Sequence, residues 1–575
     1  MKKIIKSMLL LIAVTAGTGS FVSCSDDDDL TTADALFRPI INEDDNIEQG
    51  LDDNTIPYMI VTWDNYTSAN QYTVKVEAVD GSDMKEITTD ATTCRFDNLM
   101  YDKEYYVYIS SENTQTGLKS KPYSITTTTL DYPTNLSTLS TSDIIDTQAR
   151  VKWTGDDTHY DHLKLYKDSD DELVCDTVIT DDINAAMEII FKGLDPKTTY
   201  RVEAYSNDAY QGKKRFTTVA SESYDGVVFD LRGKSASEAK NYITTDQIAF
   251  DVAENPDQDI TYVLEGGFEY KISGGTKIPA TKGTVKFITG LTLAGNAKFT
   301  HSGGWALNNG EEVNTLHIEK IDIRSDKFAD DEALAANTAK GFEGRQVFNI
   351  NGTNATLHNI IFKSCTIGGF RAIVRCQADG DNVENVTFDD CIINGIGDQG
   401  VVTTNNKSVD MKSITFKNTT VTNIVMLCDL RKTVNKLAFT IENCTFCYAP
   451  IETTANANTP MFRLGTGNVA LTVKSTLFGP SMASTGSSGG DVLLFKPGVA
   501  GSIFVAGEFD NLDVADSYKT NFIWTDRGTD EPVINPLEGL LEAGMSETEL
   551  WKAPDKGDFS IIGKIPSTLG DPRWQ

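Results

Sequence analysis

Asn359-Ile360-Ile361-Phe362-Lys363-Ser364-Cys365-Thr366-Ile367 is the stretch that decides the fold, because four related stretches follow it. These begin at Asn385, Ser413, Ala438 and Ala470. Measured at the seventh residue of each stretch, the spacings along the chain are 26, 28, 25 and 32 residues. A repeat of this length indicates similar structural units that stack on one another and bury a continuous core.

Each stretch predicts a bent β-strand. Apolar and polar residues alternate up to the sixth position, and the alternation changes phase after it. The sixth position holds a small polar residue in every stretch: Ser364, Asp390, Asn418, Asn443 and Ser475. A change of phase at a bend lets both arms of the strand turn their apolar side chains toward the same interior. One bend per repeat, stacked at the β-sheet spacing of about 4.8 Å, predicts a parallel β-helix.

This coil pattern, with its ladder of small polar bend residues, resembles the right-handed β-helices of the pectate-lyase-like superfamily. The resemblance covers the chain from about Tyr224 to the C-terminus, and further coils are expected at 260–270, 286–290 and 316–323. It implies the fold and leaves the activity open. This scaffold carries lyases, hydrolases and non-catalytic binders, so the function has to be argued from the residues of a site.

Two β-rich modules precede the helix, at residues 54–130 and 131–219. The run from Leu194 to Tyr200 matches the L-x-P-x-T-x-Y pattern of the fibronectin type III corner, and Leu99 with Tyr105 gives a shorter version in the first module. The resemblance implies that each corner tyrosine donates or accepts a hydrogen bond with nearby backbone. It also implies that the tryptophans of these modules belong to their cores: Trp63 and Trp153.

The expected fold class is therefore all-β, with two fibronectin type III-like β-sandwiches followed by a right-handed parallel β-helix at 220–575. The chain ends with Gly570-Asp571-Pro572-Arg573-Trp574, an ending that resembles those of β-helix lipoproteins from glycan-uptake loci. Ser546-Glu547-Thr548-Glu549 has the form of a helix capping box. We expect this C-terminal segment to cap the last coil, whose open edge would otherwise invite pairing.

Residues 1–24 have the form of a lipoprotein signal peptide, with a basic start and a short apolar run. Phe21-Val22-Ser23-Cys24 resembles a lipobox, which makes Cys24 the lipidation site and the acyl chains the membrane anchor. Ser25-Asp26-Asp27-Asp28-Asp29 resembles the acidic export signal of Sus-type glycan-uptake systems. These resemblances imply a lipid-anchored protein at the cell surface of the outer membrane, with a Sus-type import complex as candidate partner. Residues 25–53 are expected to be an acidic tether.

The charge of the chain is strongly acidic and unevenly distributed. Acids outnumber bases 83 to 51, which gives −32 and argues against nucleic acid as a partner. Residues 340–500 contain 14 Lys and Arg and 12 Asp and Glu, so this segment carries +2 and the remainder −34. The repeat region is thus the part of the chain that would not repel an acidic ligand.

A second strand of each coil carries a candidate binding row. In five segments two mostly apolar residues precede a polar one: Asn349, Arg375, Arg431, Arg463 and Lys496. With Arg371, which lies one alternation from Arg375, the four bases are the candidate ligand-binding residues. Guanidinium groups suit carboxylates, and a base in each coil suits a repeating acidic chain such as a uronate-containing polysaccharide, for example pectin. Solvated bases that balance neighbouring acids are the alternative.

A polysaccharide lyase on the same scaffold is a second hypothesis. β-Elimination needs a base and a cation or arginine that neutralises the uronate carboxylate. Four nearby carboxylates could hold Ca²⁺: Asp389, Asp390, Asp398 and Asp429. Arg431 and Lys407 are candidate bases, and the sequence selects neither. No other cofactor and no metal site are expected. A structural or adhesive surface protein without a glycan ligand is the third hypothesis.

Two further residue sets have alternative interpretations. Cys365, Cys391 and Cys444 share the seventh repeat position and predict an inward packing column, with a disulfide between the first two left open. Cys444 and Cys447 form a C-x-x-C pattern. On a strand this offset places the sulfurs on opposite faces, which argues against zinc or redox chemistry.

If the binding row were rejected, aromatic platforms would be the next candidates: Trp305 and Phe370.

Overall fold

The structure is a computed structural model that describes residues 35–53, 55–155, 158–234, 242–328, 334, 342, 345–404, 407–452, 460–483, 492–493, 505–521 and 537–575. Strands dominate, and the α-helices are short: Glu43–Asn46, Asp181–Ala186, Thr245–Glu254 and Glu547–Leu550. None of the helices in these ranges has the length and apolar character needed to cross a bilayer. The contacts divide the chain into two compact units, Met1–Asn135 with Glu203–Lys213 and Leu136–Val202 with Lys214–Gln575.

The first β-sandwich has a three-stranded and a five-stranded sheet. The smaller sheet consists, in spatial order, of Ile47–Leu51, Pro57–Thr62 and Thr93–Phe96. The larger consists of Met84–Thr89, Gln71–Ala78, Glu104–Asn113 and Leu118–Lys119, with Tyr123–Thr128 also paired to Glu104–Asn113. Ile41 is fully buried and Ile47–Leu51 is antiparallel to Pro57–Thr62. The end of the segment expected to be a tether is therefore part of this sandwich.

The second module contains the pair Gln148–Lys152 and Glu188–Lys192 and a four-stranded sheet. The order in that sheet is Leu173–Val178, His162–Lys167, Thr199–Ser206 and Ala209–Thr217. Both tyrosine corners are present: the Met100 amide donates to the Tyr105 hydroxyl at 3.2 Å, and the Asp195 amide to the Tyr200 hydroxyl at 2.8 Å. The two tryptophans are buried in their modules, as the resemblance implied: Trp63 and Trp153.

The C-terminal part is a parallel β-helix whose first side we call sheet 1. Its ten strands, in spatial order, are Val227–Asp230, Ile260–Leu264, Thr281–Thr289, Glu312–Glu319, Thr356–Lys363, Asn382–Asp389, Ser413–Lys417, Leu437–Glu442, Val469–Lys474 and Asn511–Ala515. Sequence order and spatial order coincide and the pairings along the sheet are parallel, so each coil adds one strand to the stack.

The other sides form a fourteen-stranded sheet, sheet 2. Ten strands follow the coils in order: Glu269–Ile272, Ala297–His301, Ile321–Ser325, Thr366–Cys376, Ile392–Thr403, Thr420–Ile424, Thr445–Cys447, Leu477–Phe478, Tyr518–Lys519 and Leu541–Glu542. Four more pair beside them: Gln346–Ile350, Cys428–Leu430, Phe462–Thr466 and Val505–Glu508. The described part of the chain has five further short strands: Ile451–Glu452, Ser481–Ala483, Val492–Leu493, Trp551–Ala553 and Asp558–Ile561.

The predicted polar bend is confirmed at each repeat. The five bend residues have positive φ between 49° and 56°: Ser364, Asp390, Asn418, Asn443 and Ser475. Lys320 and Asp516 extend the column to seven bends. Asn and Asp tolerate this left-handed conformation better than other non-glycine residues, which explains their recurrence. Side chains also bond along the column, as between Ser364 Oγ and Asp390 Oδ2 at 2.7 Å.

The core inside the bend is built from stacked side chains. Phe362, Phe388 and Phe416 are fully buried, with ring centroids 5.2 and 4.8 Å apart and nearly parallel planes. The cysteine column is also buried and its thiols are free, so no disulfide joins Cys365 to Cys391. The Cys391 thiol donates instead to the Phe362 carbonyl at 3.3 Å. Both arms of the bend thus supply one continuous core, as the phase change predicts.

The C-terminal tail lies against the outer side of sheet 2, and its capping of the last coil stays a prediction. Its Asp571 carboxylate accepts a hydrogen bond from Thr420 Oγ1 at 2.7 Å, and its amide donates to Thr445 Oγ1 at 3.0 Å. The helix after Ser546 begins with the predicted capping box. The tail covers a cluster that includes Cys447, so Cys444 in the main core and Cys447 lie on opposite sides of their strand.

His358 ties together three neighbouring coils on sheet 1. Its Nε2 lies 2.6 Å from Glu312 Oε1 and its Nδ1 lies 2.8 Å from Glu384 Oε2, while Lys412 Nζ lies 2.6 Å from Glu384 Oε1. Both ring nitrogens face carboxylates, so the imidazolium is the form that satisfies both contacts. Hydrogen bonds that His358 donates to Glu384 and then to Glu312 raise the pKa of His358. Glu312 and His358 also line a surface cavity of about 470 Å³, together with Asp257 and Lys282.

The protein should lose a small part of its stability as this histidine deprotonates. Because the pKa of His358 is raised above its ordinary value of 6.5, the contribution is complete below pH 6.5 and is lost as pH rises through the raised pKa. The contacts are partly exposed, so we expect less than about 1 kcal/mol. In thermal unfolding, the melting temperature of wild type should be higher than that of His358→Gln at low pH and equal to it at high pH. A pH-independent difference would contradict the ion-pair explanation.

Candidate functional site

The candidate row lies on the side of the coils that carries the additional strands. Its backbone register runs through one buried column: Phe348, Val374, Val402, Cys428 and Phe462. The residue that follows each of these forms the neighbouring row: Asn349, Arg375, Thr403, Asp429 and Arg463. We call this row, together with the arginines next to it, the arginine side. The row is mixed in charge, whereas the sequence predicted a ladder of bases.

One of the predicted positions in the row is different, and another lies outside the described residues. Arg431 does not stack with Arg375 and Arg463, because Asp429 occupies the register position between Thr403 and Arg463. The sequence pattern grouped Asp429-Leu430-Arg431 with Ile373-Val374-Arg375, whereas in the register it is Asp429 that corresponds to Arg375. Lys496 lies outside the described residues, and the residue paired with Arg463 on the following strand is Ala506. Cys24, the predicted lipidation site, is also outside the described ranges.

Asp429 organises one end of the arginine side. Its side chain is nearly buried and accepts two hydrogen bonds from Arg431, from Nε at 2.9 Å and from Nη2 at 2.7 Å. Arg463 Nη1 lies 3.5 Å from the same carboxylate. Two guanidinium groups therefore share one carboxylate, which leaves a positive charge in excess. A partly exposed cation beside a neutralised acid can accept a further anion at modest desolvation cost.

Arg371 forms the second pair of the arginine side. Its Nε and Nη2 lie 2.6 and 2.9 Å from the two oxygens of Asp398, a bidentate geometry. The Arg371 amide donates to the Arg345 carbonyl, so the exposed Arg345 lies beside Arg371 in the neighbouring coil. Arg345, the residue immediately before the strand Gln346–Ile350, was not among the residues predicted from the sequence. Its basic character at a strand start was the signal that could have found it.

Of the two arginines in the row, Arg375 is the one without a carboxylate partner among the described residues. Its Nε is shielded from solvent and has no hydrogen-bond partner in the described part of the chain. Burial, and then the neighbouring Arg371 charge, lower the pKa of Arg375. Both effects disfavour the charged form, and an anion placed against this guanidinium would relieve them. Five arginines and two aspartates give the arginine side +3: Arg345, Arg371, Arg375, Arg431, Arg463, Asp398 and Asp429.

The aromatic alternative on the β-helix is wrong. Trp305 and Phe370 have no exposed surface and belong to the main core, so neither ring can stack on a sugar. Trp305 packs against Phe287 with ring centroids 5.2 Å apart, and Phe370 packs against His301 at 5.7 Å. Large apolar rings in a parallel β-helix stabilise most when they fill the interior, and the sequence pattern does not distinguish these two positions from surface ones.

The four carboxylates considered for Ca²⁺ do not converge. Asp389 accepts a hydrogen bond from Asn418 beside the bend column, and Asp390, a bend residue, pairs with Arg573 of the tail. Asp398 and Asp429 are each held by an arginine. Within the described ranges, no group of three or more acidic, histidine or cysteine side chains is arranged to hold a metal ion. Lys407, a candidate base, pairs with Asp379 at 3.0 Å.

Comparison with known proteins finds similarity to fibronectin type III structures. A two-domain fibronectin type III segment from chicken tenascin is 18% identical, over 30% of this chain and 100% of that chain, with a TM-score of 0.15. The FN1–FN3 domains of chicken CNTN1 are 14% identical, over 32% of this chain and 68% of that chain, with a TM-score of 0.15. No protein-family model matches the chain. No curated protein matches it either. The sandwich assignment rests on the sheets and tyrosine corners described above.

Proposed function

We propose that this chain is a cell-surface lipoprotein that binds an acidic, uronate-containing polysaccharide with the arginine side of its β-helix. The observation that carries the proposal is Arg375, a partly buried guanidinium with no carboxylate partner among the described residues. A uronate carboxylate would supply two acceptor oxygens in the geometry that a guanidinium prefers. We also propose that the coils belong to the pectate-lyase-like superfamily that they resemble in sequence.

The spacing of the bases favours a polymer over a single small anion. Arg375 and Arg463 are three strands apart in the register, which corresponds to about 14 Å at the spacing of parallel strands. Each exposed contact with a carboxylate is weak, but contacts to one chain add because the second forms at high effective concentration. The +2 charge of residues 340–500, in a chain of −32, supports an acidic ligand at this location.

The proposed location rests on the N-terminal sequence. Cys24 would receive the acyl chains, and the acidic run from Asp26 to Asp29 would direct export to the outer face of the outer membrane. The sandwiches would then hold the β-helix away from the membrane, where a glycan-uptake complex could receive the bound polysaccharide. Lyase activity on the same scaffold is less favoured, because the carboxylates that could assist catalysis lie on different sides of the coils.

The double change Arg375→Ala with Arg463→Ala should reduce retention on polygalacturonate at least tenfold. Arg431 is kept so that the nearly buried Asp429 retains its bidentate partner. Retention of the full chain in native gels containing polygalacturonate measures the effect. Wild-type retention should also weaken as salt rises, because charge contacts are screened.

Lys417→Ala with Lys474→Ala is the matched control. Both lysines are exposed on sheet 1, so this variant loses the same charge from the same β-helix on a different side. We expect it to bind like wild type. Equal losses in the two variants would indicate a general charge effect and contradict a site on the arginine side. Release of unsaturated products, seen by ultraviolet absorbance, would favour the lyase instead.

A further inference from the structure

Two tyrosines lie on the outward side of the larger sheet of the first sandwich, Tyr106 exposed and Tyr108 partly exposed. Along Glu104–Asn113, Tyr105, Val107 and Ile109 are fully buried and alternate with Tyr106 and Tyr108. The Tyr106 side chain is 37% exposed. The two outward rings are 5.9 Å apart with an interplanar angle of 41°, so they form a continuous aromatic surface, which we call the tyrosine platform.

The groups around the tyrosine platform can form hydrogen bonds. The cross-strand neighbours of the rings are Lys75 and Glu77 on one side and Ser124 and Thr126 on the other. Lys75 Nζ lies 5.4 Å from the centre of the Tyr108 ring and 2.6 Å from Glu77 Oε2. In the described part of the chain, neither tyrosine hydroxyl has a hydrogen-bond partner, so both remain available to a ligand.

We propose that the tyrosine platform is a second glycan site, which binds the apolar face of a neutral pyranose ring. A sugar ring combines a C–H face, which packs on an aromatic ring, with hydroxyls at its edge that exchange hydrogen bonds with groups such as Ser124 and Thr126. Tyrosine suits such a ligand because its body is apolar and its hydroxyl is polar. The inference is independent of the arginine side, which lies in the other compact unit.

The charges of the surrounding surface favour an uncharged ligand. Glu77 and Glu86, which is paired with Lys75 across the strands, together with Glu104 outnumber the single lysine, so the rim carries −2. An acidic polysaccharide would meet this excess negative charge, whereas a neutral one would not. A protein interface is also disfavoured, because the centres of such interfaces are depleted of charged residues, and here an ion pair stands beside the rings.

The test is retention of the full chain in native gels that contain hydroxyethyl cellulose, arabinoxylan or galactan as neutral probes. The double change Tyr106→Ala with Tyr108→Ala should weaken retention roughly tenfold, which is the size expected for loss of one aromatic stacking contact. Tyr106→Phe with Tyr108→Phe keeps the rings and should preserve most of the retention. Retention should persist at high salt, since the contact does not depend on charge.

Two controls and one substitute variant accompany this test. Phe250→Ala removes another exposed aromatic ring, 60% exposed and located in the β-helix part, and should leave retention unchanged. Arg375→Ala with Arg463→Ala should also leave it unchanged, which separates this site from the proposed acidic one. Tyr106→Ser alone serves if the double variant fails to fold. Absence of wild-type retention on all three probes, or equal retention by the alanine variants, would overturn the tyrosine platform as a glycan site.

Discussion

Replacing Phe388 by alanine should lower the free energy of unfolding by about 3–5 kcal/mol, the range for large-to-small changes of buried aromatic residues. Phe388 is fully buried between Phe362 and Phe416, with ring centroids 5.2 and 4.8 Å away. The rigid coils above and below cannot close the gap, because their backbones are joined by the parallel sheet at a set spacing. The stack therefore leaves a cavity when one ring is removed.

Urea unfolding followed by fluorescence measures this loss. Thr387→Ala is the matched control, since Thr387 is the preceding residue of the same strand and its side chain is partly exposed on the outer side of sheet 1. We expect the control to change stability by less than about 0.5 kcal/mol, as surface substitutions usually do. A loss under about 1 kcal/mol for Phe388→Ala, below the range for buried aromatic residues, would mean that this ring does not fill the interior.

Replacing Asp571 by alanine should cost about 2–3 kcal/mol and loosen the C-terminal tail. The carboxylate is almost completely buried, accepts a hydrogen bond from Thr420 and lies 3.0 Å from Arg573 Nη1. Removal of the carboxylate leaves the Thr420 hydroxyl with one fewer partner and leaves Arg573 with Asp390 as its remaining carboxylate partner among the described residues. Burial raises the pKa of Asp571, so part of the gain from these hydrogen bonds already offsets a desolvation cost.

Two measurements separate tail release from general destabilisation. The tail covers an apolar cluster with Leu550, Trp551 and Phe559, so its release should increase binding of an apolar fluorescent dye before the β-helix unfolds. Asp555→Ala, an exposed carboxylate of the same segment, should change neither stability nor dye binding. If Asp571→Ala unfolds in one transition with wild-type dye binding, the tail does not detach independently and this interpretation is wrong.

The repeats and the corners could be predicted because their causes are local. A change of strand phase at Ser364, Asp390 or Asn418 already implies a bend, and the left-handed conformation required there is one that few residues accept. The corner tyrosines Tyr105 and Tyr200 follow from short patterns, and both bond to backbone five residues before them. The boundary of the first sandwich could not be located in this way, because the pairing of Ile47–Leu51 depends on a strand that comes later.

The candidate site could be predicted only in part. Arg371, Arg375 and Arg463 do lie on one side of the coils, as their positions in the repeat indicated. The sequence did not reveal that Asp429 occupies the row, nor that Arg431 holds it, since a buried carboxylate and a surface one look the same in a sequence. It also suggested Trp305 and Phe370 as platforms, although both rings are buried, whereas Tyr106 and Tyr108 lie on the outward side of their sheet.

The sequence by itself determined the all-β class, the parallel β-helix and its bend column, because alternation, repeat length and backbone preference are properties of short segments. Only the tertiary structure decided which polar residues meet. The tail binds at Thr420 and Thr445, 126 or more residues earlier in the chain. Among the described residues Arg375 has no carboxylate partner, while Arg371 has one. Contacts between coils depend on loop lengths that shift the register, and no local pattern encodes that shift.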